Sequence, residues 1–111
     1  MARELIILPR FKRDYKSARQ HPDFDVETLE YVFDLLISGD KLPAALREHW
    51  LGKSGKKWSG FIECHLGPDL LLVYRVRRRA VILHRMGTHR QLFSPGRLRA
   101  RKRPPIRRKS K

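Results

Sequence analysis

The chain has 111 residues, 41% of them hydrophobic, enough for one modest core and too few for a second domain of similar size. Its 26 Lys and Arg against 11 Asp and Glu give a formal net charge of +15, which draws a protein to phosphate backbones or to an acidic protein without specifying an activity. A single cysteine, Cys64, excludes an intramolecular disulfide and fits a reducing cytoplasm; no apolar run is long enough to span a membrane, and Leu5 to Leu8 is too short for a signal peptide.

Residues 3–8 form a short apolar run closed by Pro9, the pattern of a first strand. Phe11, Tyr15 and Ala18 recur at helical spacing among Lys and Arg, which predicts a basic amphipathic helix over residues 10–20, ended by His21-Pro22. Asp25 is the expected N-cap of a second helix whose apolar stripe is Val26, Leu29, Phe33, Leu36 and Ile37 and whose stop is Gly39. The two helices should pair as a hairpin. Residues 40–57 contain Pro43, Gly52 and Gly55 and predict an irregular connection with a short helical turn at Ala44 to Glu48.

Three strand-like runs follow, residues 58–66, 69–77 and 80–87, joined by Gly67-Pro68 and by Arg78-Arg79. Such tight connections predict an antiparallel meander. Alternation in the first run sends Ile62, Cys64 and Leu66 to one face and Phe61, Glu63 and His65 to the other, so that one face packs and the other can act. The middle run is apolar on both faces, as befits a central strand covered by the helices. The expected fold is therefore α+β, in the order β-α-α-β-β-β. Residues 1–96 make up the expected domain. Beyond them, residues 97–111 carry nine Lys or Arg and only Leu98, Ala100 and Ile106 as apolar groups, a composition that cannot bury enough to order itself.

Three histidines and a carboxylate, His49, His65, Asp69 and His89, lie between residues 49 and 89. The turn between the first two strands of the meander should bring His65 and Asp69 together, with His89 just past the last strand near the same edge. Cutting RNA without a metal needs a base for the 2'-hydroxyl proton, an acid for the departing 5'-oxygen, and cations for the charge that builds on phosphorus. Histidine supplies the first two near neutral pH and Arg85 could supply the third, while Trp50 and Phe93 could stack on bases. Plainer roles compete: His49 as a loop histidine, His21 and His84 without a function, His65 with Asp69 as a structural hairpin pair, and Phe93 as a core plug. The lone cysteine and the lack of His-x-x-x-His spacing give no metal site, and nothing points to a cofactor.

His49-Trp50-Leu51, then Trp58-Ser59-Gly60-Phe61, then the run Glu63 to Tyr74 with its His65-x-x-Pro68-Asp69, and finally Arg85-Met86-Gly87-Thr88-His89 with Leu92-Phe93 resemble, in this order, the YafQ-like branch of the RelE/ParE superfamily of bacterial type II toxins. The resemblance covers about residues 4–93. It implies a compact fold of a helix pair on a small, largely antiparallel sheet. It also implies an endoribonuclease that enters the ribosomal A site (on the 30S subunit), cuts the mRNA being translated, and is neutralised by a cognate antitoxin with which it could form a heterotetramer. Under it, His49, His65, Asp69 and His89 are the catalytic positions and Phe93 assists substrate placement, with His89 the principal acid or base. Glu63 stands where some relatives have Asp and is a secondary substrate-binding candidate. The segment from Ser94 onward extends past the resemblance and could add affinity for ribosomal RNA or be a solvated appendage. Two other readings remain: a gyrase-poisoning toxin of the ParE kind, which needs no acid–base set, and a basic RNA-binding protein without activity.

Overall fold

The computed structural model describes residues 2–52 and 56–93; the expected basic tail and the end of the expected domain at residues 94–96 lie outside them. In chain order the elements are β1 (Glu4–Ile7), α1 (Pro9–Ala18), α2 (Val26–Ser38), a 3-10 turn (Ala44–Leu46), β2 (His49–Trp50), a second 3-10 turn (Lys56–Trp58), β3 (Ile62–Gly67), β4 (Leu70–Val76), β5 (Ala80–Gly87) and α3 (His89–Phe93). No helix among the described residues is long and apolar enough to cross a membrane.

The helix boundaries follow local chemistry. Pro9 opens α1, where its missing N–H costs nothing. Asp25 occupies the N-cap of α2 in an extended conformation, but its carboxylate accepts the Thr28 hydroxyl at 2.7 Å and caps no backbone amide. Gly39 stops the helix in the left-handed region, φ 83°, and its N–H returns to the carbonyl of Leu35 at 3.0 Å.

The five strands form one sheet in the order β1-β5-β4-β3-β2. The expected meander β3-β4-β5 is antiparallel, and β1 adds to it in parallel with Glu4 opposite Ala80 and Ile7 opposite Leu83. A parallel edge follows from the path of the chain, because α1 and α2 carry it across one face before it enters the meander. Under the helices, Phe11, Leu29, Val32 and Leu36 pack on Ile62, Cys64, Leu72, Tyr74, Val81 and Leu83. The alternate residues of β4, Leu71 and Val73, join Leu51, Trp58 and Leu92 in a second cluster on the other face. With both faces covered, every residue from Leu70 to Tyr74 is at most 1% exposed, and each buried leucine there stabilises the fold by roughly 1.5–3 kcal/mol.

Three elements were not expected. The 3-10 turn Lys56–Trp58 stands where a strand was expected to begin at residue 58, and β3 starts only at Ile62. β2 is only two residues long, too short to leave a periodic signal, and lies where an irregular connection was predicted. α3 begins at His89, where the chain was expected simply to leave the sheet. Its start is a reciprocal cap: Thr88 Oγ1 accepts the Gln91 N–H at 3.1 Å and Gln91 Oε1 accepts the Thr88 N–H at 2.9 Å.

Candidate active site

The candidate site is built across the β2–β3–β4–β5 rows and completed by α3. His49 pairs with Glu63 across β2 and β3, and His65, Leu71 and Gly87 form the next row across β3, β4 and β5. Because strand side chains alternate, Glu63 and His65 share the face expected to act, whereas Ile62 and Cys64 go into the core. Burial pushes the Cys64 thiol up to about 12, so it is an inert core group. Gly87 leaves the end of β5 open: a Cβ there would lie 2.6 Å from Gln91 Oε1, the atom that caps α3. The close seat of α3 brings His89 over His65.

Three imidazoles result, with His65 in the middle. Its ring centroid is 6.1 Å from that of His49 and 5.8 Å from that of His89, and Phe93 lies 6.4 Å beyond His89. Each imidazole has its own acceptor. His49 donates from Nδ1 to the carbonyl of Arg47 at 2.9 Å, a carbonyl turned toward it by the left-handed backbone of Arg47, φ 53°. His65 Nε2 lies 3.1 Å from Glu63 Oε2, and His49 Nε2 lies 3.8 Å from the same oxygen. His89 donates from Nδ1 to Asp69 Oδ1 at 3.0 Å, and that oxygen also accepts the His89 backbone N–H at 3.2 Å. The carbonyl and Asp69 contacts place a proton on Nδ1 of His49 and of His89; Nε2 of His89 is left free, while Nε2 of His49 faces Glu63.

The environments differ. Burial lowers the His65 pKa below its ordinary 6.5, and the opposing pull of Glu63 recovers only part of the shift. The Asp69 carboxyl is held below its ordinary range, first by the hydrogen bond from the His89 side chain and then by the His89 amide. Asp69 and His89 are half-exposed at 53% each, while Glu63, at 3%, is the one buried charged residue among those described. A carboxylate so enclosed is stable only with partners, and the two imidazoles are those partners.

The pairing corrects the sequence reading. His65 and Asp69 were expected to meet at the hairpin tip; instead His65 meets Glu63 two residues earlier on its own strand, and Asp69 meets His89. The extra residue Leu66, at the register shift inside β3 between His65 and Gly67, sets His65 back from the turn that carries Asp69. Period-two alternation already placed Glu63 beside His65, so that signal was present. Arg85 has a partner that the sequence did not suggest. It was expected to face phosphate, yet its Nε donates to Asp14 Oδ2 at 2.7 Å while the same oxygen accepts the Met86 N–H at 3.0 Å, which ties α1 to the edge of β5. Trp50 is 67% exposed, as a stacking residue requires. Phe93 is half-buried against Trp58, with ring centroids 5.1 Å apart, and so both plugs the second cluster and borders His89. His21 and His84 stand apart: His21 Nδ1 accepts the Asp23 N–H, and His84 packs edge-on to Phe61.

His49, Glu63 and His65 also present one ligand atom each within 4.8 Å of one another. Two imidazoles and a carboxylate are donors that zinc or copper accepts, so the set fits such an ion, a possibility that the linear spacing of the histidines did not reveal.

The YafQ family, described as bacterial toxins of type II toxin–antitoxin systems, matches residues 3–94. A protein of Escherichia coli strain B / BL21-DE3 named mRNA interferase toxin YafQ is 34% identical over 85 residues, which cover 76% of this chain and 88% of that protein. Among solved structures, a copper-bound mutant toxin from Helicobacter pylori superimposes with a TM-score of 0.73 at 33% identity, covering 84% of this chain and all of that one (100%). The E. coli DinJ-YafQ toxin–antitoxin complex superimposes with a TM-score of 0.72 at 30% identity, covering 84% of this chain and 99% of the matched chain.

Proposed function

Because this chain belongs to the YafQ family of bacterial type II toxins, whose E. coli relatives are named mRNA interferases, we propose that it is an endoribonuclease. In this reading it cuts translated mRNA in the ribosomal A site by acid–base catalysis that needs no metal. The observation that supports this best is the row of three imidazoles at about 6 Å spacing, each held by a different acceptor. A base and an acid each have to come within about 2.6–3.2 Å of their oxygens, and neighbouring rings at this spacing can reach two oxygens of one phosphodiester.

His65 is kept neutral near pH 7 by burial, the form a base needs to take the 2'-hydroxyl proton. His89, its Nδ1–H held by Asp69, turns Nε2 outward; as an imidazolium it gives the Nε2 proton to the departing 5'-oxygen and becomes the neutral Nδ1–H ring. His49 lies against the phosphate on the other side of His65, and Trp50 offers a face for a base. Attack of the 2'-oxygen on phosphorus breaks the bond to the 5'-oxygen and leaves a 2',3'-cyclic phosphate upstream. If His49, Glu63 and His65 held a metal ion, it would supply a Lewis acid for a phosphoryl oxygen. The partner in this reading is a cognate antitoxin, and the place of action is the cytoplasm, where the ribosomes are.

Inducing the protein and mapping mRNA 5' ends should reveal in-frame cuts in translated messages. His89→Ala should lower cleavage by at least about a hundredfold while circular dichroism shows a folded chain. DNA breaks with intact mRNA would identify a gyrase poison instead, and ribosome binding without cuts would identify an inactive RNA-binding protein. Purified chain stripped with EDTA, then added to ribosomes in magnesium, should keep its rate; a loss restored by zinc or copper would place a metal in the reaction.

A further inference from the structure

We propose that Asp23, on the loop between α1 and α2, is a positioning residue for the Asp69–His89 pair. The inference rests on the reading of His89 as a proton-transfer group.

Asp69 is half-exposed, and no apolar packing fixes a carboxylate in that position. Its backbone is held from outside: the Asp69 N–H donates to Asp23 Oδ2 at 2.9 Å, across 46 residues of sequence. Asp69 Oδ1 in turn accepts both the amide and the Nδ1–H of His89. A continuous chain of hydrogen bonds thus runs from the helix loop through the β3–β4 turn to the imidazole. The loop approaches the turn so closely that a Cβ on Gly67 would lie 2.8 Å from the Asp23 Cβ and 3.2 Å from its carboxyl carbon. Gly67 has an ordinary φ, so its lack of a side chain serves this approach and not the turn itself. Asp23 is itself held in place: its N–H donates to His21 Nδ1 at 2.9 Å, and the Phe24 N–H donates to the His21 carbonyl at 3.0 Å. The loop is thus braced by two local hydrogen bonds, and among the described residues the hydrogen bond by which its side chains reach the site is the one that Asp23 accepts from Asp69.

An imidazole at the surface loses rate when its orienting carboxylate drifts, because proton transfer tolerates little misplacement. Losing one positioning hydrogen bond should lower kcat about three- to tenfold and leave KM within about twofold, since Asp23 itself meets no substrate.

The test uses the full chain with programmed ribosomes and compares Asp23→Ala with Asp23→Asn, whose side-chain oxygen can still accept from the Asp69 amide. Nitrogen-15 spectra of the His89 imidazole report the tautomer independently of cleavage. Asp23→Ala should lower kcat and move His89 away from the Nδ1–H form, and Asp23→Asn should restore both. Gly67→Ala, which displaces the Asp23 carboxylate without removing it, should reproduce the kcat defect, and it stands in for Asp23→Ala should that variant not fold. The proposal is overturned if Asp23→Ala leaves kcat and the His89 spectrum unchanged, or if alanine and asparagine are equally defective. If His89→Ala cuts as fast as wild type, the proton-transfer reading fails and this one falls with it as a statement about catalysis. The spectra would still show whether Asp23 orients the ring.

Discussion

His65 is subject to two opposing influences, and their balance sets its chemistry. Burial lowers its pKa, Glu63 at 3.1 Å raises it, and the charges of Arg47, His89 and His49 lower it again, so the net shift is downward. Replacing Glu63 by Gln removes the one raising influence and keeps the shape. The His65 pKa should then fall further, and the acid limb of the cleavage profile should move to lower pH with it. The rate at pH 7 should drop roughly tenfold to a hundredfold, because the ring loses the carboxylate that orients it. Titration of His65 by NMR beside the pH–rate profile checks this; an unmoved midpoint would show that Glu63 is electrostatically silent. The same exchange separates Glu63 from Asp69, whose neighbour is His89 and which is not among the groups that shift His65.

At the scale of elements, α3 is the weakest part of the site and the one that holds its most exposed imidazole. Five residues cannot form a stable helix alone, so its placement depends on the cap between Thr88 and Gln91 and on Leu92, 4% exposed in the second cluster. Gln91→Ala removes half of the reciprocal cap at a cost of about 1 kcal/mol. The expected result is a small decrease in Tm together with a larger decrease in cleavage, because the helix end that loosens carries His89. Thermal melts and single-turnover rates measured on one preparation distinguish this from general destabilisation, in which the two would fall together. The strand that leads into α3 is firmer: next to Gly87, Asp14 satisfies both the Arg85 guanidinium and the Met86 amide at the part of β5 that β1 does not reach.

For the molecule as a whole, the histidines make folding pH-dependent. His65 and His84 both have pKa values lowered by burial, and Arg77 adds to the effect at His84. The unfolded chain therefore binds protons there more readily than the folded one, and stability should be fully present above about pH 6.5 and fall as pH drops through that value. Asp69 has the opposite sign of charge and a lowered pKa, so its contribution is present above about 3.8 and is lost as pH falls through its folded value. Urea midpoints between pH 5 and pH 8 should fall on the acid side, and a His84→Gln variant should flatten part of that slope; a flat curve in both proteins would contradict the assignment. The segment 97–111 has nine Lys or Arg and no histidine, so it is outside this titration. Deleting its nine cations should weaken ribosome binding and reduce the slope of log affinity against log salt by about 0.7 to 0.9 for each phosphate the segment had neutralised. Equal binding by the truncated and full chains from low to physiological salt would show the segment to be dispensable.

Local pattern along the chain was enough for the parts that depend on near neighbours. Alternation in residues 62–66 sorted Cys64 into the core and Glu63 with His65 onto the other face, helical spacing and Gly39 placed α2, and the tight connections defined the antiparallel meander. The motifs that named the family also placed His49, His65, Asp69 and His89, which the fold gathers along one edge. Who partners whom was left to the folded molecule. Neither the two-residue β2 beside Glu63 nor the parallel seat of β1 on β5 has a periodic signature, since each pairing joins residues far apart in the chain. The Thr88-x-x-Gln91 cap was not read from the sequence, and whether so short a helix forms depends on the second cluster, which receives Leu92. The Asp69 to His89, Arg85 to Asp14 and Asp23 to Asp69 contacts span 20, 71 and 46 residues. No local rule reaches that far, because which acceptor a histidine or arginine finds is settled only when the packed sheet, helices and loops bring distant groups within hydrogen-bonding distance.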